Sequence, residues 1–328
     1  MRTAVLDGTT LETLLSAAVA APSIHNTQPW RFRLDPPTLT LAIRAATHRG
    51  LRHTDPTGRA LHLSVGCAVL NLRIAVEHFG WTPVTRLLPH PDEPELLATV
   101  RLADTTRPTT THPALYDSVW RRHSSRLPFA ERPLPTPLLT ELTEAAHTEG
   151  AVLHHLPAAQ GDTVLRLTRE AEHRNTTDPD RAAESRRWLT GLDTGTGLGM
   201  PPEALGPQDF LDHIPMRDFS AHRHPNTLPA RPFEKRPSIA VLTTTHDRRT
   251  DWLRAGQALE RVLLTATAHS VRASLLHQAL EWPDLRECLM VPVGPHTCHP
   301  QMVLRLGYGP EGPATPRSGH TLHLREDA

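Results

Sequence analysis

The amino-acid sequence predicts an α+β fold that is built from two tandem halves. Each half has the same order of elements, namely a helix, a strand, a long apolar helix and a final strand. The two long apolar segments, "SVGCAVLNLRIAVEHFGW" and "RAGQALERVLLTATAHSV", align with each other and pair Gly66 with Gly256. A weak repeat that is consistent in arrangement indicates two related units. We therefore expect an internal pseudo-dimer with a first half at 1–104, a connector at 105–116 and a second half at 117–328.

In the first half, apolar periodicity predicts a helix at 9–21 and alternation predicts a β-hairpin at 30–45. Asp55, followed by proline, suits the start of the long helix, and Gly80 suits its end. The stretch "VTRLLPHPDEPELLATVRL" is typical of two strands joined by a turn. The Thr- and Pro-rich connector that follows has no apolar periodicity.

The second half contains predicted helices around 136–149 and across 160–192, strands at "GAVLHHLPA", "SIAVLTTT" and "PQMVLRLGYG", and the second long helix. Residues 193–236 are rich in Gly, Pro and polar residues, and a loop of that length indicates either disorder or a functional lid. Embedded apolar residues favour a lid. The residues expected to plug a site beneath it are Met200, Pro201, Pro202, Phe210 and Phe219.

Composition narrows the possible functions. The 328 residues have a formal net charge of zero, which gives no electrostatic reason to expect nucleic acid or an anionic membrane surface as a partner. Asp7 and Glu12 interrupt any apolar core of a signal peptide. Three scattered cysteines, Cys67, Cys288 and Cys298, are too few for a disulfide framework. A cytoplasmic protein that binds neither nucleic acid nor membrane is expected.

Histidine is abundant, with 22 residues, so a metal site has to be considered. The two clusters are "HRHP", with His222 and His224, and "HTCHP", with His296, Cys298 and His299. Adjacent Cys and His lack a spacing that lets both reach one tetrahedral ion, and neither cluster has a fixed partner. We expect no metal.

The stretch "APSIHNTQPW" at 21–30 needs an explanation, because it follows an ordinary amphipathic helix. Pro22 stops that helix, and Ser23, Asn26 and Gln28 are polar side chains suited to tight turns. From these residues alone the stretch is either a helix-to-strand loop closed by a buried Trp, or a loop whose backbone and amides hold a ligand.

Together, "APSIHNTQPWRF" and "RRHSSRLPF" resemble the two signature segments of the FMN-dependent nitroreductase family, and the double length resembles its fused subfamily, typified by the mycobacterial Acg proteins. The resemblance implies that Arg122, Ser124 and Arg126 bind the FMN phosphate, joined by Arg317 from "PRSG". It also implies a backbone N–H near Gln278 facing the reactive flavin nitrogen. Pro22, Ser23, Ile24 and Asn26 would lie along the flavin from the other side. Gln28, counted with these cofactor-binding residues, is expected together with Trp30 to support the loop rather than to touch the flavin.

The two halves carry complementary parts of this signature. The first half has the Asn-x-Gln-Pro-Trp loop but no preceding Arg-Arg-x-Ser segment, whereas the second half has Arg121 and Arg122 but lacks the loop after its helix. In a family whose site is shared across a dimer interface, two such halves complete one site. We expect one flavin per chain and a monomer.

The resemblance implies hydride transfer from NAD(P)H through FMN to a small-molecule electron acceptor, namely a nitroaromatic, a quinone or an activated alkene. No side-chain nucleophile is required, which agrees with the absence of a triad motif. The alternative is a protein that sequesters or stores FMN beneath the lid at 193–236 and turns over little.

Overall fold

The computed structural model describes residues 6–104, 113–189, 197–219, 230–293, 296–318 and 322–324. The elements of the first half are α1 (Gly8–Val19), β1 (Trp30–Asp35), β2 (Thr40–Ala45), α2 (Arg59–His78), β3 (Trp81–Leu87) and β4 (Leu96–Asp104). Carboxylates begin two of the helices. Asp7 accepts a hydrogen bond from the Thr10 backbone N–H at 2.7 Å, and Asp55 accepts from the backbone of Ala60 and Leu61 at 3.0 and 2.9 Å. These contacts satisfy N–H groups that a helix leaves unpaired at its start.

The second half consists of α3 (Pro113–Arg121), α4 (Thr136–Thr148), β5 (Val152–His155), α5 (Ala158–Thr177), α6 (Pro179–Arg187), β6 (Ser238–Thr244), α7 (Arg249–Ala268), β7 (Val271–Leu275), α8 (Pro283–Glu287), β8 (Val291–Val293), β9 (His296–Tyr308) and β10 (Leu322–Leu324). The predicted helical stretch 160–192 is two helices, because Asp178 caps α6 and Pro179 begins it. Helix α3 begins at Pro113, inside the range predicted as connector. Residues 105–112 of that range lie outside the described residues.

Four strands of each half form a sheet with the same strand order, and β10 of the second half joins the first sheet. The first sheet runs β10-β1-β2-β4-β3 and the second runs β5-β6-β9-β7, with β8 added against β9. When strands are matched by their order along the chain, β1, β2, β4 and β3 correspond to β5, β6, β9 and β7. The α+β fold of two similar halves that the repeat predicts is confirmed.

The halves meet where α2 packs across α7. A Cβ atom added to Gly66 would lie 2.3 Å from the Leu253 carbonyl oxygen and 2.9 Å from the Gly256 Cα, and one added to Gly256 would lie 2.1 Å from the Leu63 carbonyl oxygen. The two glycines that the sequence repeat aligns are therefore the point of closest approach. Only glycine allows two helix backbones to approach this closely.

Helix α2 is apolar enough, with a mean hydropathy of 1.4 over 18 residues, and long enough to cross a membrane by these two measures alone. In the fold, 89% of that window is buried inside the protein, where α2 packs against α1 and α7. The apolar character of α2 is thus explained by its position in the core shared by both halves.

The end of the chain returns to the first half. Strand β10 pairs with β1 in parallel, with Phe32 opposite Leu322 and Leu34 opposite Leu324. A shorter contact runs along β7, where the Ser125 backbone N–H donates to the Ala273 carbonyl at 2.8 Å. These two pairings carry the segment after α3 and the C-terminal tail to the same region of the molecule.

Candidate functional site

One cavity lies where α2, the loop after α1, the segment after α3 and the C-terminal tail come together. Part of its wall comes from residues 197–219 of the candidate lid. Helix α2 contributes Ala60, Leu63, Ser64 and Cys67. Nine of the ten predicted site residues line this cavity, namely Pro22, Ser23, Ile24, Asn26, Arg122, Ser124, Arg126, Gln278 and Arg317. Gln28 does not line it.

The loop after α1 is held by its own polar groups. The Ser23 hydroxyl accepts a hydrogen bond from the Gln28 backbone N–H at 2.9 Å, and the Ile24 backbone N–H donates to the Ser64 hydroxyl on α2 at 3.2 Å. The loop therefore encloses a short 3-10 turn at Ile24–Asn26 that is fixed against α2.

This loop has an unusual backbone. His25, Asn26 and Gln28 all have positive φ angles, of 49°, 53° and 48°. Residues other than glycine adopt this region rarely, although Asn and His do so more often than most. Backbone conformations of this kind persist where the surrounding contacts determine them, and they concentrate at functional sites.

The amides of the loop bind the lid and the tail. The Asn26 amide nitrogen donates to the carbonyl oxygens of Gly199 and Pro316, both at 2.9 Å. The Gln28 amide nitrogen donates to the Gly197 carbonyl at 2.6 Å, and Gln28 is fully buried. Asn26 thus lines the cavity, whereas Gln28 supports the loop from behind.

Two arginines from distant parts of the chain meet at the end of α1. Arg122 and Arg317 each donate from a guanidinium nitrogen to the Ala20 carbonyl at 3.1 Å, and Arg317 also donates to the Val19 carbonyl at 3.0 Å. The negative end of the α1 dipole favours this placement. Burial, with a further contribution from Arg122, lowers the pKa of Arg317 to about 10, and Arg317 stays positively charged at neutral pH.

Behind these arginines lies Glu260, a fully buried residue of α7 that sequence reasoning missed. Its carboxylate is 3.3 Å from the Arg122 Nε. Burial raises the pKa of Glu260 to about 7, although the charge of Arg122 opposes the rise. The available signal was a charged residue inside the apolar stretch "ALERVLL".

The lid contacts the site through both apolar and polar groups. Met200 and Phe219 line the cavity as predicted plug residues, and Arg126 donates to the Ala204 carbonyl of the lid at 2.9 Å. The prediction for Phe210 was wrong, because that side chain is 72% exposed and does not line the cavity, and Pro201 and Pro202 do not line it either. Residues 193–196 and 220–229 of the predicted lid lie outside the described residues.

Glu281 forms the centre of a buried charged cluster that is part of the cavity wall. Its carboxylate accepts hydrogen bonds from His277 at 2.8 Å, from Asn175 at 2.9 Å and from Arg217 of the lid. Burial alone would raise the pKa of Glu281, but Arg217 and His277 outweigh it and lower the pKa to about 2. Sequence reasoning missed this cluster, although His277 and Glu281 have the spacing of neighbours on a helical turn.

Gln278 lies beside this cluster and is almost fully buried. Its amide nitrogen is 3.5 Å from the Pro215 carbonyl, and its amide oxygen has no hydrogen-bond partner among the described residues. The backbone N–H of Leu276 is occupied, since it donates to the Val303 carbonyl at 2.9 Å.

Within the described ranges, no group of three or more His, Cys, Asp or Glu side chains is arranged to hold a metal ion. His222 and His224 of the "HRHP" cluster lie outside those ranges.

No family model matches the chain. A protein of Mycobacterium tuberculosis (strain ATCC 25618 / H37Rv), provisionally named an NAD(P)H nitroreductase, is 32% identical over 321 residues, which cover 97% of this chain and 91% of that protein. The protein provisionally named NAD(P)H nitroreductase acg, from the same organism, is 28% identical over 322 residues and 96% of each chain.

Among solved structures, a protein from Anabaena variabilis is provisionally described as a nitroreductase. The match includes 92% of this chain and 88% of that protein, with a TM-score of 0.45 and 12% identity. The match with a Bacteroides fragilis nitroreductase with bound FMN includes 61% of this chain and 90% of that protein, with a TM-score of 0.36 and 14% identity. These two similarities are too distant to bear on function. The relative that is 32% identical matches nearly the whole chain. This similarity shows that the chain belongs to the NAD(P)H nitroreductase family, with Acg among its relatives.

Proposed function

We propose that the protein is an FMN-dependent oxidoreductase that takes electrons from NAD(P)H and passes them to a nitroaromatic, a quinone or an activated alkene. The observation that carries this proposal is the convergence of Arg122 and Arg317 at one end of a cavity that also holds Arg126 and Ser124. Planar guanidinium groups and a hydroxyl match the acceptor oxygens of a phosphate. When bound, FMN supplies the hydride-transfer chemistry, while the protein supplies position and access.

The residues present fit this cofactor. Arg122, Arg126 and Arg317 would hold the phosphate, and the loop with Asn26 would lie along the remainder of the molecule. The buried amide oxygen of Gln278, which has no partner among the described residues, is an acceptor suited to an N–H group of a ligand. The small and apolar side chains of α2 offer a surface for a flat ring.

We also propose one flavin per chain and a monomeric, cytoplasmic protein. Both halves contribute to the one cavity, so a second copy of the chain is not needed to complete it. The three cysteines are free, as suits a reducing compartment.

The test of flavin binding is the stoichiometry of the purified protein after incubation with FMN. We expect one FMN per chain, and we expect Arg126→Gln combined with Arg317→Gln to weaken FMN binding by more than about a hundredfold, because two charge-assisted contacts are lost. Arg166→Gln, which removes an exposed arginine of α5, is the matched control and should bind as the unchanged protein does. Two flavins per chain, or unchanged affinity in the double variant, would contradict the assignment.

Storage of FMN is the second candidate function, and the contacts of the lid favour it. Segment 197–219 binds the loop through Asn26 and the buried cluster through Arg217, so it is tied down on two sides. A lid that stays closed would exclude water and nicotinamide alike.

Anaerobic absorption spectroscopy distinguishes the two candidates. A flavin band that bleaches with NADPH or NADH indicates a reductase, whereas a band that bleaches only with dithionite indicates storage. If the lid limits access, Arg217→Ala should speed bleaching by NAD(P)H about tenfold or more. Arg169→Ala is the comparison, because Arg169 binds the same lid at Asp212 and His213 without lining the cavity. A rate in Arg217→Ala equal to that of the unchanged protein would remove the lid from the explanation.

A further inference from the structure

His25 is a buried polar residue of the cavity to which the proposed function assigns no role. Its ring lines the cavity and is 6% exposed. Its Nδ1 atom has no hydrogen-bond partner among the described residues. A buried polar atom without a partner is costly, and because the His25 ring lines the cavity, a molecule bound there can supply the missing partner.

The neighbours of His25 determine which ring nitrogen carries the proton. The Arg217 guanidinium lies 3.3 Å from Nε2, and a guanidinium group can only donate. Nε2 therefore accepts, and the proton of the neutral ring is on Nδ1. Burial, and next the charge of Arg217, lower the pKa of His25 well below its usual value, so the ring is neutral at physiological pH. The atom without a partner is thus a hydrogen-bond donor.

A ring contact and the backbone conformation of His25 fix the position of this donor. The ring of Phe219 packs edge-on against the His25 ring, with centroids 4.9 Å apart and an angle of 64° between the planes. The backbone at His25 adopts the left-handed region, with φ of 49°. Left-handed conformations of residues other than glycine are strained, and they persist where the surrounding contacts determine them.

We propose that the Nδ1–H group of His25 donates a hydrogen bond to an oxygen of the electron acceptor, and that His25 thereby determines which acceptors bind. Nitro and quinone oxygens are acceptors only, so they complement a donor that has no other partner. These oxygens also gain negative charge during reduction, and a fixed donor in a site that excludes water stabilises such charge. Arg217, on the other side of the ring, strengthens the donor by polarising it. The inference rests on the proposed flavin site.

The experiment uses variants that differ in the donor alone. Asn and Asp both tolerate the left-handed backbone and resemble each other in size, but Asn retains an N–H donor and ionised Asp does not. Each FMN-loaded protein is titrated, without any electron donor, with 4-nitrobenzamide and with 4-methylbenzamide, and binding is followed by the change in flavin absorption. The methyl compound controls for fit and for the charge of Asp, since it carries a methyl group, which accepts no hydrogen bond, in place of the nitro group.

We expect the unchanged protein and His25→Asn to prefer the nitro compound to a similar degree, within about threefold. His25→Asp should lose about fivefold to tenfold of that preference, which corresponds to one neutral hydrogen bond. If the preference is the same in all three proteins, or if the loaded protein binds neither benzamide, the inference is wrong while the flavin site stands. If the unchanged protein takes up no FMN, both proposals fail.

Nitrogen-15 NMR of the histidine side chain provides a separate check that does not depend on an acceptor. His25 should show a protonated Nδ1 and an unprotonated Nε2 at pH 7. Protonation at Nε2 alone would overturn the inference, because the ring nitrogen without a partner would then be an acceptor.

Discussion

Glu260 makes the stability of the protein depend on pH. Its pKa is about 7 in the folded protein, compared with 4.5 for an exposed glutamate. Between these values the folded state binds more protons than the unfolded state, so stability is present at low pH and falls as the pH rises from about 4.5 through 7. A shift of this size corresponds to about 3 kcal/mol.

The prediction is tested with Glu260→Gln, which stays neutral at every pH. In urea unfolding without FMN, the variant should gain up to about 3 kcal/mol relative to the unchanged protein between pH 4.5 and pH 8. Glu77→Gln, at a half-buried position of α2, is a control and should show a smaller pH-dependent gain. A difference between Glu260→Gln and the unchanged protein that does not vary with pH would contradict the prediction.

At the level of residues, the sequence was sufficient to bring together the loop with Asn26 and the arginines Arg122 and Arg317, because both lie in recognisable segments. It could not identify the partners of these arginines or the cluster around Glu281. Those contacts join residues from several elements that are far apart in sequence, so no local pattern encodes them. Phe210 was misassigned because an apolar side chain in a loop does not show from its sequence which way it points.

Among the elements, the crossing of α2 and α7 is the most sensitive to a small change in volume. Gly256→Ala would place a methyl group 2.1 Å from the Leu63 carbonyl oxygen, and helix backbones cannot yield as a flexible side chain can. We expect Gly256→Ala to lower the free energy of unfolding by about 3 kcal/mol or more, as measured by urea denaturation.

Gly161→Ala is the matched control. Gly161 is a buried glycine in α5, and an added Cβ would lie 3.5 Å from the Ile239 Cγ1, which is ordinary contact. Because alanine favours a helix more than glycine does, this substitution should be neutral or stabilising by up to about 1 kcal/mol. Similar losses in the two variants would show that the helix crossing is not the cause.

For the whole molecule, the shared core predicts cooperative unfolding. The main apolar cluster contains residues of both halves, from Leu14 of α1 to Leu306 of β9. In urea, tryptophan fluorescence and far-ultraviolet circular dichroism should therefore report the same midpoint. Trp81 and Trp252 allow each half to be followed separately, after replacement of the other tryptophans by phenylalanine. Two separated transitions would mean that the halves unfold independently.

The repeat in the sequence was sufficient to predict two similar halves, since periodicity and the paired glycines are local features. The pairing of β10 with β1 was not predicted, because a strand of three residues at the end of a polar tail has almost no signature. The same is true of the contact between the segment after α3 and β7. The first connects the two halves and the second joins parts of one half that are far apart in sequence, and such connections depend on the assembled fold.

The packing of α2 on α7 also has a consequence for biosynthesis. Helix α2 begins at residue 59 and α7 at residue 249, so the ribosome adds most of the chain between them. At about 5–20 residues per second, α2 waits roughly 10–40 s for its partner. During that interval a helix with the hydropathy of a membrane span has no complete core to enter. We expect the nascent chain to be a client of chaperones that bind apolar segments, and the first half to become soluble only once the second has emerged.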